Sequence, residues 1–173
     1  GDITPDLSDN SDFDNVPTGN NTSKLFNIKN TGSNTLLLTG SPRINISGTD
    51  ASSFSVTVQP SSSVTSGSSS IYQLTFSPLT AGLKQATITI QTNDPDEGVF
   101  TYDIQGTGID TEINITGNGN NINNGATTTS ISNSTEFGDI IVGNNITQTF
   151  TVENLGLKNL LLSGSPIIYI IEA

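Results

Sequence analysis

Period-two alternation runs through this chain, and no stretch of useful length shows helical periodicity. Phe26 and Ile28 alternate with Asn27 and Lys29. Tyr72, Leu74 and Phe76 alternate with Gln73, Thr75 and Ser77, and Ala86, Ile88 and Ile90 with Thr87, Thr89 and Gln91. Tyr102 and Ile104 continue the pattern around Asp103. Each run buries one face and wets the other, as strands of an antiparallel sandwich do. Turn residues punctuate the runs: Asn30-Thr31-Gly32, Gly40-Ser41-Pro42, Ser47-Gly48, Ser66-Gly67, Ala81-Gly82 and Asp94-Pro95-Asp96.

Strands are expected near residues 12–16, 23–30, 35–39, 43–46, 54–58, 70–77, 84–92 and 99–105. Seven or eight strands in a domain of about 100 residues fit an immunoglobulin-like sandwich. The serine-rich stretch from Ser61 to Ser70 reads as a loop. Phe26, Ile28, Leu37, Phe54, Tyr72, Leu74, Phe76, Ile88, Ile90, Tyr102 and Ile104 are the expected core. Gly32 and Gly106 are expected at tight reversals that need φ > 0, and Asn30 and Asn154 at turns where they bond their own backbone.

The chain also repeats itself, without a gap, at an offset of 124 residues. Phe13 matches Phe137, Gly19-Asn20-Asn21 match Gly143-Asn144-Asn145, and Phe26, Asn30 and Gly32 match Phe150, Asn154 and Gly156. Leu36-Leu37-Leu38 and Gly40-Ser41-Pro42 return as Leu160-Leu161-Leu162 and Gly164-Ser165-Pro166. The reading is therefore an all-β chain of tandem immunoglobulin-like β-sandwich repeats whose second repeat is incomplete. Repeat 1 spans residues 1–108, an Asn/Gly-rich linker residues 109–128, and the first half of repeat 2 residues 129–173. Within the linker, Glu112 to Thr116 alternates and could extend the last strand of repeat 1.

A half-sandwich exposes its core face and an unpaired strand edge. Three explanations stay open: a window of a longer protein, completion by strands of a neighbouring chain, or a degenerate, disordered half. The candidate interface is Phe150 and Val152 together with the apolar run Ile167, Ile168, Tyr169, Ile170 and Ile171, which reads as a strand. Self-association with identical or homologous repeats follows if neighbours complete it.

Composition excludes whole classes of chemistry. His and Cys are absent, so imidazole and thiol catalysis, disulfides and the usual zinc, haem and iron–sulfur ligands are absent too. A net charge of −11 with five basic residues excludes phosphate-neutralising contact with nucleic acid and attraction to an anionic membrane. No apolar run reaches the roughly 20 residues of a membrane-spanning helix. The chain begins at Gly1, which reads as a mature product or a fragment.

Several motifs together resemble the bacterial choice-of-anchor D repeat. The first half is carried by Phe26-Asn27-Ile28-Lys29-Asn30-Thr31-Gly32, Leu36-Leu37-Leu38, Gly40-Ser41-Pro42, Ile46-Ser47-Gly48, Ala51 and Phe54. Phe76-Ser77-Pro78, Gly82, Ala86-Thr87-Ile88, Asn93-Asp94-Pro95-Asp96 and Ile104-Gln105-Gly106-Thr107-Gly108 carry the second. This group is similar to the abnormal-spindle/Hydin type of Ig-like domain. The resemblance implies a β-sandwich in large secreted or surface-displayed bacterial proteins, with no shared enzymatic activity. The expected function is thus a non-enzymatic structural module of a filament, stalk or adhesin, outside the cell or at its surface. The alternative is a surface module that binds a glycan or a protein, with or without Ca²⁺.

Two acidic groups are weighed as cation ligands. Asp6, Asp9, Asp12 and Asp14 offer oxygens suited to Ca²⁺, against the plainer reading of a solvated edge. Their counterparts in repeat 2 are Ser130, Asn133, Glu136 and Gly138, so the charge mostly does not recur. Asp94-Pro95-Asp96-Glu97-Gly98 resembles the start of a Ca²⁺ loop but lacks the later ligands, and a hairpin turn explains it without metal. No cofactor is otherwise expected.

Overall fold

The computed structural model describes residues 4–170. These fall into two units, Gly1–Ile109 and Asp110–Ala173. Among its described residues, unit 1 carries nine strands: β1 (Asp12–Pro17), β2 (Thr22–Lys29), β3 (Leu36–Leu37), β4 (Ile44–Ser47), β5 (Phe54–Val58), β6 (Ser63–Val64), β7 (Ser69–Phe76), β8 (Gly82–Gln91) and β9 (Val99–Ile109). One sheet has the order β1-β9-β8-β4, the other β2-β7-β5, and β3 pairs with β6 as a short ribbon. All pairs are antiparallel except β1 with β9, which run parallel. This is the immunoglobulin-like sandwich expected from the alternation.

The core lies between the two sheets. Ile44, Ala86, Ile88, Ile90 and Ile104 come from one, and Phe54, Tyr72, Leu74 and Phe76 from the other, joined by Phe13 and Val16 of β1. Burying a large apolar side chain stabilises a fold by about 1.5–3 kcal/mol. Phe13, Phe54 and Phe76 form the aromatic centre, with Phe54 stacked on Phe76 at 4.8 Å between centroids.

Four local expectations are corrected. Leu37 points outward, and Leu38 is buried in its place, because period two puts neighbours in a strand on opposite faces. Inside the serine-rich stretch, Ser63–Val64 is a strand, since Leu36 and Leu37 need partners and Val64 fills the interior beneath them. Gly106 lies within β9 and does not have positive φ. A Cβ there would stand 2.6 Å from the Phe76 ring, so glycine is required by close packing. Gly32 does not have positive φ either; it closes the turn by donating its N–H to Asn30 Oδ1 at 3.0 Å.

Among its described residues, unit 2 holds three strands in the order β11-β10-β12: β10 (Ile113–Gly117), β11 (Asn120–Asn121) and β12 (Phe150–Asn154). The segment read as a linker thus carries two of them. Its alternating residues do not prolong β9; they form β10, which pairs antiparallel with β12.

Candidate functional site: loops, edges and an uncovered face

The structure gives all four aspartates hydrogen-bond partners. Asp6 Oδ1 accepts the Ser8 N–H, and Asp9 Oδ1 accepts both the N–H and the hydroxyl of Ser11. Asp12 Oδ1 accepts the Asp14 N–H, while its Oδ2 takes the Gln105 amide at 2.8 Å. Asp14 Oδ1 accepts from Asn15 N. The bonds from Ser8 hold the Asp6 carboxyl below the usual carboxylate range. Among the described residues, no three acidic side chains converge as ligands of one cation.

The loop of unit 2 makes the same bonds with uncharged residues. Asn133 Oδ1 accepts the N–H and the hydroxyl of Thr135, as Asp9 does from Ser11. Ser130 Oγ accepts the Ser132 N–H, as Asp6 does from Ser8. Glu136 N donates to Ser130 O as Asp12 N donates to Asp6 O. At the counterparts of Asp6 and Asp9, what recurs is hydrogen bonding, not charge. The second acidic group is likewise a turn: Asp94 Oδ1 accepts the N–H groups of Asp96 and Glu97.

The second surface is the inner face of unit 2. Residues equivalent to the core of unit 1 lie open there. Ile44 is 1% exposed and its counterpart Ile168 is 75%; Leu38 is 5% and Leu162 is 42%. Phe137, Phe150, Val152 and Ile170, the counterparts of Phe13, Phe26, Ile28 and Ile46, are exposed as well, and so are Ile167 and Tyr169, whose counterparts Arg43 and Asn45 are not core residues. Phe150 and Val152 belong to β12. The run Ile167–Ile170 does not form the expected strand. Ile168 and Ile170 correspond to Ile44 and Ile46, which are strand residues by pairing with Ile90 and Ile88 of β8. No β8 counterpart exists among the described residues of unit 2, so the run has nothing to pair with. Ile171 lies outside the described residues.

The two edges of β12 differ. Leu155 N donates to Glu112 O at 2.7 Å, so Thr151 and Glu153 also face β10. In unit 1, Asn30 N donates to Ser68 O, so Phe26, Ile28 and Asn30 face β7. Their counterparts Phe150, Val152 and Asn154 therefore direct their main-chain groups to the edge away from β10. β10 occupies the edge opposite to the one that β7 takes in unit 1. Along the β7 edge, β12 has no strand partner among the described residues.

The third surface is a groove in unit 1 between β2 and the first half of β9. It consists of two hollows of about 260 and 360 Å³ that share Asn27, Tyr72 and Phe100. Its floor is aromatic. Phe26 stacks on Tyr72 at 5.2 Å and leans on Tyr102 at 5.9 Å, and the two tyrosine hydroxyls are 2.5 Å apart. Burial pushes the Tyr72 hydroxyl up to about 12, against the opposing pull of its bond to Tyr102. It raises Tyr102 further still, helped by the neighbouring Tyr72. The alternation of the sequence foretold inward aromatics but not a groove, because a gap at a sheet edge depends on which strands are neighbours.

Two facing β-sheets, β1-β9-β8-β4 and β2-β7-β5, with antiparallel pairing throughout except for the parallel first strand, define an Ig-like β-sandwich domain. Residues 6–107, more than half of the chain, match the HYDIN/CFA65/VesB-like, Ig-like domain, and the chain belongs to that family. Among solved structures, a Porphyromonas gingivalis W83 protein of unknown function is 18% identical, with 56% of this chain and 42% of that one covered, at a TM-score of 0.47. The ASH/PapD-like domain 7 of human CEP192 is 16% identical over 60% of this chain and 84% of that one, at 0.43. The VesB protease of Vibrio cholerae is 20% identical over 56% of this chain and 29% of that one, at 0.43. The chain thus spans less than half of the P. gingivalis protein. Among curated proteins no sequence matches it. No helix among the described residues is long and apolar enough to cross a membrane.

Proposed function

We propose that this chain is a non-enzymatic structural module of a bacterial extracellular filament, stalk or adhesin, of the choice-of-anchor D kind. Its units are completed by strands from identical or homologous repeats. The observation that carries the reading is the uncovered inner face of unit 2 beside the unpaired β7 edge of β12. A strand set along that edge would gain a main-chain ladder and bury Phe150, Val152, Leu162 and Ile168 together. Such joints serve load-bearing and assembly, and they need no catalytic group. The acidic side chains that could act as acids or bases are engaged in turns, as Asp9 and Asp94 are.

The test is sedimentation of the full chain from about 1 to 100 µM, the range where exposed sheet edges associate. The expected result is concentration-dependent assembly that Val152→Asp and Ile168→Asp each suppress. A monomer throughout the range contradicts completion by identical copies.

A further inference from the structure

We propose that the free edge of β2 in unit 1 is a docking site for one antiparallel strand of the β10 type, Ile-x-Ile-x-Gly, supplied by another repeat of the same kind. The proposal concerns unit 1 and does not depend on how unit 2 is completed.

The argument starts from the internal repeat. β12 is the counterpart of β2, and its edge away from the β7 position is occupied by β10. The same edge of β2 carries the N–H and C=O groups of Leu25, Asn27 and Lys29. At Leu25 a side chain reaches it, where Asn10 Nδ2 donates to the carbonyl at 3.3 Å. No strand lies beside Asn27 or Lys29 among the described residues.

The groove beside that edge matches what β10 presents. In unit 2, Ile115 stands opposite Val152, Ile113 opposite Asn154 and Gly117 opposite Phe150. The corresponding places in unit 1 are Ile28, Asn30 and Phe26, and all three line the hollows. Two isoleucines entering there would cover the exposed Phe100 and the Tyr72–Tyr102 pair. The aromatic rings of Phe26, Tyr72, Phe100 and Tyr102 lie where the hollows meet, with polar residues such as Asn27 and Asn30 along the strand edge, and both the edge and the filling are met by one alternating strand.

The glycine is part of the fit. A Cβ on Gly117 would collide with the Asn133 carbonyl, because the loop that Asn133 staples closes that end of β10. Asp9 is the counterpart of Asn133, staples its own loop in the same way, and lines the corresponding end of the groove. An incoming strand therefore needs glycine opposite Phe26.

The offset of 124 makes the test direct, since Gly125 is the counterpart of Gly1. A further copy of residues 110–124 joined ahead of Gly1 in the full chain would set a β10 strand in register with β2. The expected result is slower hydrogen exchange, by about tenfold or more, at the amides of Asn27 and Lys29, with a rise in the melting temperature of unit 1. The same extension carrying Asn at both isoleucine positions should give neither effect, and one carrying Val at the glycine position should give neither. Unchanged exchange with the intact extension overturns the proposal. Equal protection by the Asn-bearing extension also overturns it, since the groove would then not select the strand. If the unextended chain already protects both amides as a dimer, the strand comes from a second copy, and Ile113→Asn with Ile115→Asn should remove that protection; protection that survives both changes overturns the proposal.

Discussion

The side-chain amide of Asn30 donates to the carbonyl of Val64 at 2.8 Å, tying the end of β2 to β6. The same group donates to Asn34 O, and Asn30 Oδ1 accepts from Gly32 N. Asn154 repeats the turn with Lys158 and Gly156, yet Asn30 is buried and Asn154 exposed. Asn30→Ala strands a buried carbonyl, at a cost of about 1–3 kcal/mol. Chemical denaturation should show that loss for unit 1. Asn154→Ala should change the stability of the chain by under about 1 kcal/mol, because its groups can turn to water.

The loop bonds of Asp9 predict a charge-independent role. Asp9→Asn copies the residue that unit 2 uses, so stability should stay within about 0.5 kcal/mol. Asp9→Ala removes the acceptor for both groups of Ser11, whose side chain is buried, and should cost about 1–2 kcal/mol. Thermal melts with and without millimolar Ca²⁺ should superimpose for all three proteins; a Ca²⁺-dependent rise that Asp9→Asn abolishes would support the cation reading instead.

Alkaline pH should weaken unit 1 through Tyr72 and Tyr102. Both hydroxyls are raised in the folded state, Tyr72 from 10.0 to about 12. A raised group contributes stability that is complete below its unfolded value and is lost as pH climbs through the folded one. Stability should hold to about pH 10 and then fall toward pH 12, by at most about 1.4 kcal/mol per pH unit for each tyrosine. Tyr72→Phe with Tyr102→Phe should flatten that fall; urea titrations at pH 9, 10 and 11, spaced about one unit around the free tyrosine value, measure it.

Close packing at Gly106 sets the fourth expectation. With the Phe76 ring 2.6 Å from where a Cβ would sit, Gly106→Ala forces ring or strand to move. Overpacking of this kind costs about 1–3 kcal/mol. Gly67, whose Cβ would meet nothing within 4 Å, has φ of +73° and tests the other reason for glycine. Gly67→Asn should cost less than Gly67→Val, since Asn tolerates the left-handed region and a β-branched residue does not.

Much of unit 1 was legible because its signals are local. Alternation at Tyr72–Phe76 and Ala86–Ile90 marks buried faces directly, and turn residues mark where strands stop. Leu37 and Leu38 were not separable, since a run of three leucines has no period. Val64 was hidden among serines because its strand exists only through its partner Leu36. In the second half, the repeat locates the uncovered face, and the alternation of Glu112–Thr116 marks a strand within the linker but points to β9 as its neighbour, where the structure pairs it with β12. Which edge β10 takes depends on the neighbouring strands, and period-two alternation alone does not name a partner. The apolar run after Pro166 has the composition of a strand and lacks the neighbour that would make it one.

Completing unit 2 tests the central claim most directly. Residue 50 follows the counterpart of Ala173 at the same offset, so residues 50–109 appended after Ala173 would supply β5 to β9 in register. Calorimetry and hydrogen exchange of the extended chain should show a second cooperative transition, with the amides of Phe150, Val152 and Asn154 protected. Fast exchange at those three amides, with a single transition belonging to unit 1, would contradict the account.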